Sequence, residues 1–348
     1  MRIALVSDAW APQVNGVVRT LATTVAILRQ RGHEVETITP DGFATLRCPG
    51  YPEIRLALGS GRAVGRRLAG FAPDCVHIAT EGPLGWAARR WCLATDMPFT
   101  TSFHTRFPDY LALRTHLPAS LFWPVVQRFH APAARVFAAT RALEDELHAR
   151  GLARTHRWSR GVDIALFRPD RAPLAAFADL PRPILLHVGR VAIEKNIEAF
   201  LSADVPGSKV VVGDGPALAM LRRRYPQAHF LGALHGEALA SAYAGADLLV
   251  FPSLTDTFGL GMIEALASGV PVAAHPAPGA LDIIGRDGRG GGPARIGALA
   301  DHLSDAIAQA LGADRAACVA AGRRYDWAVC TDQFLAGLYP ARQVRAVG

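Results

Sequence analysis

The chain has 348 residues, of which half are hydrophobic and 19% are charged. This length suits two domains that each bury a core, and the composition excludes a disordered chain. No uncharged apolar run reaches about 18 residues, which argues against a membrane-spanning helix. The apolar stretch before Asp8 is also too short for a signal peptide. Five scattered cysteines without metal-ligand spacing indicate reduced thiols in a cytoplasmic protein.

The net charge of +7 comes entirely from the first half of the chain. Residues 1–170 contain 21 arginines, no lysine and 14 acidic residues, whereas the remainder contains 16 basic and 16 acidic residues. This excess favours an anionic partner, such as a membrane surface or a phosphorylated substrate. Because the basic residues are spread out and not interleaved with aromatic side chains, nucleic acid is not predicted as a partner.

In chain order, the first predicted element is a buried strand at residues 2–7. A loop follows, then a helix from Val17 to about Arg31 that Gly32 ends, and then the alternating strand EVETITP. Strand, helix and strand in close succession form a βαβ unit, which predicts a parallel sheet. Further strands are predicted at residues 75–80, 99–104 and 135–140.

The same rhythm restarts near residue 180. Strands are predicted at residues 183–189, 209–215, 247–253 and 270–275, with a short helix from Ile193 to Leu201 and a proline-rich linker near 165–180. We therefore predict an α/β fold of two Rossmann-like, doubly wound parallel-sheet domains, residues 1–168 and 178–325, facing one another across a cleft. Residues 326–348 are predicted to form a helix that packs back on the first domain. Ligands of such folds bind at the carboxyl ends of the strands.

The sequence GRVAIEKN, residues 189–196, directly follows a predicted strand and opens a predicted helix. Such a position favours anions, because unpaired amide groups and the helix dipole point toward them. It also contains Arg190 and Lys195, the latter being one of only two lysines in the chain. These residues predict a site for a diphosphate, although a solvated ion pair at a helix start would give the same pattern.

A second block, SLTDTFGLGMIEALASG at residues 253–269, also follows a predicted strand. Gly259 and Gly261 permit the backbone to approach phosphate oxygens closely. Asp256 in the loop and Glu264 in the following helix would direct two carboxylates toward one ligand, as is usual for ribose or sugar hydroxyls. A capping aspartate with a surface glutamate would explain neither the glycines nor the apolar run around Glu264.

Together the two blocks resemble the signature of the GT-B glycosyltransferases of family 4. The family patterns are GRL-x-x-EKN and an acid–x7–acid motif, and Asp256 stands where the family usually has Glu. The segments DAWAPQVNGVVRTL, TSFHTRFPDY and SRGVDIALFRP also resemble family segments. The resemblance spans roughly residues 1–340.

This resemblance implies a retaining transfer of a hexosyl group from a nucleoside diphosphate sugar. The charge on the leaving diphosphate would be stabilised without a metal ion. The groups that stabilise it would be the side chains of Arg190 and Lys195 and the amide groups of Phe258, Gly259 and Leu260. Glu264 would bind the ribose hydroxyls, and Asp256 would hold the sugar. We therefore expect no metal site and no cofactor.

In the first half, the resemblance places Gly16 in a loop that approaches the donor and makes His104 the active-site histidine, near the anomeric centre. A buried structural histidine is the alternative for His104. Front-face attack is expected, and Asp8, His104 and Glu81 are the first-half candidates for a base.

The acceptor and donor are less well specified by the sequence. Residues 109–137 mix Leu, Phe and Trp with Arg, which is typical of an interfacial helix and equally of a packed helix lining a cleft. A lipid acceptor such as diacylglycerol, with peripheral attachment to the cytoplasmic face of the plasma membrane, is the first hypothesis. A GDP-mannose-dependent α-mannosyltransferase acting on a saccharide is the second, and a non-catalytic nucleotide-sugar-binding protein the third. UDP- and GDP-linked donors both remain open, and an oxidoreductase is disfavoured because the first loop lacks G-x-G-x-x-G.

Overall fold

In the computed structural model, the chain divides into two compact units. The first comprises Met1–Ser159 together with the segment from Cys330 onward, and the second comprises Arg160–Val329. The structure describes residues 1–341 except 14, 15, 49, 50, 60, 105, 255 and 257, and only the backbone of 48, 51–54, 110, 113 and 114. The predicted first domain ends at residue 168, nine residues after Ser159 (168 − 159), and the predicted second domain, 178–325, begins eighteen residues after Arg160 (178 − 160) and ends four before Val329 (329 − 325). Residues 342–348 of the predicted final segment lie outside the described residues.

The first unit alternates strands and helices from its first residue. Its strands are β1 (Arg2–Val6), β2 (Glu34–Ile38), β3 (Thr45–Cys48), β4 (Tyr51–Ala57), β5 (Cys75–Ile78), β6 (Phe99–Ser102), β7 (Arg135–Ala138) and β8 (Thr155–Arg157). Its helices are α1 (Gly16–Gln30), α2 (Gly61–Phe71), α3 (Pro83–Ala94), α4 (Phe107–Thr115), α5 (Trp123–His130) and α6 (Arg141–Ala149).

Six strands of this unit form one parallel sheet in the order β2-β1-β5-β6-β7-β8, and β3 pairs with β4 as a separate antiparallel hairpin. The central strands β1 and β5 are buried over nearly their whole length, as a sheet covered on both sides requires. Helix α1 ends where Gly32 adopts a φ of +80°, which a residue with a side chain adopts at a cost. The chain order reverses between β1 and β5, and this is the switch point of the sheet.

The second unit repeats the pattern with shorter connections. Its strands are β9 (Ile184–Val188), β10 (Ser208–Val212), β11 (His229–Gly232), β12 (Leu248–Phe251), β13 (Val272–Ala274) and β14 (Gly297–Leu299). Its helices are α7 (Ile197–Ser202), α8 (Leu218–Arg224), α9 (Gly236–Gly245), α10 (Leu260–Ala267), α11 (Pro278–Ile283), α12 (Leu303–Ala310) and α13 (Arg315–Arg323). Helix α14 (Trp327–Gly337) follows, and most of it belongs to the first unit.

The second sheet is also entirely parallel, in the order β11-β10-β9-β12-β13-β14, so its switch point lies between β9 and β12. Its core is aliphatic, and Leu185, Val211, Leu248 and Val250 are almost wholly buried in it. The predicted α/β fold with two parallel-sheet, Rossmann-like units is confirmed. Three features were not predicted: strand β8, strand β14 and the β3–β4 hairpin. Strands β8 and β14 are only three residues long, and the hairpin belongs to neither of the two parallel sheets.

Helix α14 makes its polar contacts with the first unit. The side chain of Gln333 accepts hydrogen bonds from the amide and the hydroxyl of Ser159, at 2.8 and 2.7 Å. Arg135 donates to the carbonyl of Ala336 at 2.8 Å, and Arg31 forms an ion pair of 2.6 Å with Asp332. The chain therefore returns to its first unit after completing the second.

Candidate active site

The loop after β9 carries the first sequence block. Gly213 and Gly215 in the neighbouring loop let it pack closely, since a Cβ at these positions would lie 1.8 Å from the Gly189 carbonyl oxygen and 2.3 Å from that of Val191. The amide of Val191 donates to the Asp214 carbonyl at 2.9 Å. This packing fixes the backbone on both sides of Arg190, whose side chain is exposed. The GDG sequence thus shapes the site loop.

The helix expected from Ile193 to Leu201 is interrupted. Residues Ile193–Lys195 form a single 3₁₀ turn, Asn196 adopts a left-handed conformation with a φ of +52°, and α7 begins only at Ile197. The side-chain amide of Asn196 donates to the Pro252 carbonyl at 3.2 Å. The prediction of one continuous helix here was wrong, because the asparagine turns the backbone to reach the end of β12. Lys195 therefore lies on a short turn and not at the start of a helix.

The loop after β12 carries the second block. Gly259 precedes α10 with a φ of +95°, and a Cβ there would lie 2.6 Å from the methyl group of Met262. Phe258 is buried against the edge of the Tyr325 ring, and Leu260 is partly buried as the first residue of α10. This conformation directs the first amide groups of α10 toward the carboxyl edge of the sheet.

The two blocks meet at that edge. Lys195 Nζ lies 2.5 Å from Asp256 Oδ1, and the side chains remain 23% and 20% exposed. Residues 61 positions apart thus form one ion pair. The pair stays open to solvent, so an anion can compete with Asp256 for the ammonium group.

Glu264 lies one turn into α10 and is buried. The hydroxyl of Tyr243, from α9, donates to its Oε2 at 3.0 Å. Gly261 makes room for this contact, since a Cβ there would lie 3.1 Å from the tyrosine oxygen. Tyr243 was not predicted as the partner of this buried acid, because it lies 21 residues earlier and carries no motif.

His104 and Gly16 belong to the first unit. His104 follows β6 at the carboxyl edge of the sheet and is 6% exposed, with its ring centroid 5.6 Å from that of Trp158. Gly16 is exposed and begins α1. Both therefore lie at the edge where parallel-sheet folds bind ligands. Their predicted roles stay predictions.

Asp8 and Glu81, the other two candidates for a base, already have internal partners. Asp8 accepts from the amides of Leu84 and Gly85, at 2.9 and 3.3 Å, and from the Thr80 hydroxyl at 3.0 Å. Desolvation raises the pKa of this carboxyl above its ordinary value, and the two amides oppose the rise. Asp8 thus caps the start of α3.

Glu81 is held by a buried histidine that sequence reasoning missed. His130 lies 3.1 Å from Glu81 through Nε2 and 2.8 Å from the Thr101 hydroxyl through Nδ1. His130 is fully buried in α5, and the Glu81 side chain is 10% exposed. A helix-borne histidine followed by a strand carries no sequence signal for this contact, because three elements must fold to bring the groups together.

Two kinds of feature, a metal site and a membrane-spanning helix, are absent from the described part of the chain. Within residues 1–341, less the eight undescribed positions, no group of three or more His, Cys, Asp or Glu side chains could hold a metal ion. No helix in that same part of the chain has the length and apolar character to cross a membrane.

A hollow of about 490 Å³ lies at the opposite, amino edge of the second sheet, where Arg182 and Asp247 pair with each other. It touches none of the predicted site residues.

The chain is similar to known proteins in sequence and in fold. The family models "Glycosyltransferase Family 4" and "Glycosyl transferases group 1" match residues 14–166 and 182–312. A GDP-mannose-dependent alpha-mannosyltransferase of Mycobacterium tuberculosis is 32% identical and covers 98% of this chain and 97% of its own. A sulfoquinovosyl transferase of Arabidopsis thaliana is 29% identical over 83% of this chain and 62% of its own. A sucrose-phosphate synthase from Thermosynechococcus elongatus superposes with a TM-score of 0.74 at 22% identity and covers both chains completely.

The two parallel-sheet units have the GT-B fold, and the family models that match both of them identify the chain as a glycosyltransferase. The chain belongs to glycosyltransferase family 4, and the reaction it catalyses is glycosyl transfer. The substrates of that reaction are a nucleotide sugar and a saccharide or lipid acceptor.

Proposed function

We propose that this enzyme is a retaining α-mannosyltransferase that uses GDP-mannose and transfers the mannosyl group to a hydroxyl of a membrane lipid. The observation that carries the proposal is the contact between the two motif loops, in which Lys195 and Asp256 lie 2.5 Å apart beside the start of α10. The choice of GDP-mannose is supported by the mycobacterial mannosyltransferase, which aligns over nearly the whole of both chains.

In this proposal the diphosphate replaces Asp256 as the partner of Lys195. The ion pair is about one-fifth exposed, so a doubly charged diphosphate can reach the ammonium group and take the place of the carboxylate. Arg190, which is exposed in the loop after β9, is proposed to bind the same phosphates. Asp256 is then released to accept from a sugar hydroxyl. The amides of Phe258–Leu260 add donors that need no reorganisation as the leaving charge develops.

Glu264 is proposed to bind the ribose of the nucleotide. The Tyr243 hydroxyl fixes one of its oxygens, which leaves the carboxylate oriented for the vicinal hydroxyls. This is the role of the carboxylate that follows the phosphate loop in other doubly wound folds. His104 is proposed to contact the transferred sugar, and the leaving phosphate oxygen is proposed to take the acceptor's proton. The reaction as proposed uses no metal ion and no cofactor.

The proposed lipid acceptor rests on an apolar surface in the first unit, here called the α4–α5 surface. Its members are exposed by 40 to 59% and occur at helical and turn positions between Phe107 and Val125: Phe107, Leu111, Leu117, Leu121 and Val125. Five of the exposed large apolar side chains fall within 19 residues, and we propose that they form one patch that contacts the membrane. The net charge of +7 in residues 1–170 adds attraction to anionic headgroups. We propose peripheral attachment to the cytoplasmic face of the plasma membrane, with a saccharide acceptor as the alternative.

The donor is tested by incubating the enzyme separately with GDP-mannose and UDP-glucose, in the presence of diacylglycerol vesicles or of short oligosaccharides. Release of free nucleotide and transfer of radiolabelled sugar are measured. We expect turnover of GDP-mannose and incorporation of label into the lipid fraction. Turnover of UDP-glucose alone would contradict the donor, and label confined to the oligosaccharides would contradict the acceptor.

A further inference from the structure

The switch point of the second sheet contains a buried histidine to which no role has been assigned so far. Strands β9 and β12 pair only at Leu185–Leu248 and Leu186–Leu249 and then diverge. His187, the next residue of β9, bridges the gap with its Nδ1, which lies 3.2 Å from the Val250 carbonyl oxygen. Because a carbonyl can only accept, Nδ1 must carry the proton in this contact.

The other nitrogen of this ring lies on the side of the motif loops. Nε2 has no hydrogen-bond partner among the described residues, and a Cβ at Gly189 would lie 3.4 Å from it. The charges of Lys195 and Asp256 both act electrostatically on the ring. Burial lowers the pKa of His187 to about 4, so the ring is neutral near pH 7. Nε2 therefore presents a lone pair, and leaving it unpaired is costly.

A second buried polar atom at this switch point also lacks a partner in the described part of the chain. Ser253 follows β12, is 1% exposed, and has no hydrogen bond to its Oγ. Phosphate oxygens cannot satisfy an imidazole lone pair, because both groups are acceptors. A hydroxyl can satisfy both atoms, since it donates to Nε2 and can accept from Oγ.

The geometry points to His187 as a specificity-determining residue, whose Nε2 accepts a hydrogen bond from a hydroxyl of the donor's hexosyl group, with Ser253 Oγ as a second contact to the same sugar. This inference rests on the proposed function, because it requires the diphosphate to bind at Lys195. It goes beyond that function by naming the groups that distinguish the nucleotide sugar from the nucleotide alone. Asp256, which is shorter than the glutamate that the family usually has, is then not the only side chain proposed to bind the sugar.

The test is a comparison of GDP and GDP-mannose binding by calorimetry. In His187→Asn, the side-chain amide retains a donor for the Val250 carbonyl and loses the acceptor at the Nε2 position. We expect about tenfold weaker binding of GDP-mannose, the loss of one buried hydrogen bond, and GDP binding within twofold of wild type. His187→Gln places a carbonyl oxygen near the Nε2 position and is expected to recover part of the lost affinity.

Equal weakening of GDP and GDP-mannose by His187→Asn, or no change in either, would overturn the inference. Ser253→Ala deletes only a hydroxyl group and provides the same test should His187→Asn fail to fold. If the wild-type enzyme binds GDP but not GDP-mannose, the proposed donor fails. The His187 comparison is then made with UDP and UDP-glucose, so the two failures remain distinguishable.

Discussion

Each of the two sheets has a switch point, but the buried polar groups at the two switch points differ in their hydrogen bonding. At the switch point of the first unit, between β1 and β5, the Asp8 carboxylate is satisfied by Leu84, Gly85 and Thr80. At the switch point of the second unit, between β9 and β12, His187 Nε2 and Ser253 Oγ have no partner in the part of the chain that the structure describes. The protein's own groups satisfy the first position, whereas the second is where we propose that the donor sugar binds.

A pair of buried histidines makes the same contrast. His77, on β5, contacts Thr100 through one ring nitrogen and Ser102 through the other, at 2.8 and 2.9 Å. His187, on β9, contacts the protein through Nδ1 alone. Both rings are buried and neutral, so burial by itself does not mark a functional histidine. The two rings differ in their hydrogen bonds: both nitrogens of His77 have protein partners, whereas Nε2 of His187 has none among the described residues, and a buried atom of that kind calls for an explanation.

The largest expected effect comes from removing the charge at the second switch point. Lys195→Ala should lower kcat/KM for transfer by about 100-fold or more, as loss of one preorganised donor to a leaving anion does. Lys209→Ala is the matched control, since Lys209 Nζ donates to the carbonyls of Leu201 and Ala203 and not to the site. Steady-state kinetics decide the matter. Near wild-type turnover by Lys195→Ala would remove the diphosphate site from this edge.

The contrast between the two aspartates is tested by stability. Asp8→Ala should lower the free energy of unfolding by about 2 kcal/mol, because it removes a helix cap and leaves buried amides unpaired. Asp256→Ala should lower it by less than about 1 kcal/mol, since its ion pair is partly exposed. Urea unfolding followed by circular dichroism measures both. Equal losses for the two variants would mean that the edges do not differ as described.

The neutral histidines predict a dependence of stability on pH. Burial lowers the pKa of His77 to about 3 and that of His187 to about 4, against about 6.5 in the unfolded chain. The unfolded state therefore binds more protons below pH 6.5, so stability is complete above that pH and falls as pH drops toward 4. The slope is up to about 1.4 kcal/mol per pH unit for each histidine. Urea unfolding from pH 4.5 to 7.5 should show a shallower slope for His187→Asn, and an unchanged slope would contradict the assignment.

The smallest effect is expected at the α4–α5 surface of the first unit. Leu121→Ser with Val125→Ser, both 59% exposed in the wild type, should reduce flotation with anionic vesicles at low salt by a few-fold. Met220→Ser, in α8 of the second unit, is the control, because Met220 is an exposed apolar residue outside that surface. Flotation that is equal in all three proteins would exclude this surface as the attachment site.

The sequence by itself determined the two-sheet α/β architecture and the residue types of the proposed donor site. Periodic apolar strands and terminating glycines such as Gly32 are local signals, and so are the two motif blocks with Lys195, Asp256 and Glu264. These features can be predicted because each depends on neighbours within one element or one turn.

Only the tertiary structure decided which groups are satisfied and which are not. The break at Asn196, the Tyr243 hydroxyl on Glu264, the His130 contact to Glu81 and the lone pair of His187 all depend on distant elements. These hydrogen-bond partners lie 21 to 63 residues apart in the sequence. No sequence pattern marks them, because only the folded chain brings them together. In the sequence, both switch points are strand ends and look alike. Only the packing of the folded chain gives the buried polar group of the first its hydrogen-bond partners, while His187 Nε2 and Ser253 Oγ at the second have none among the described residues.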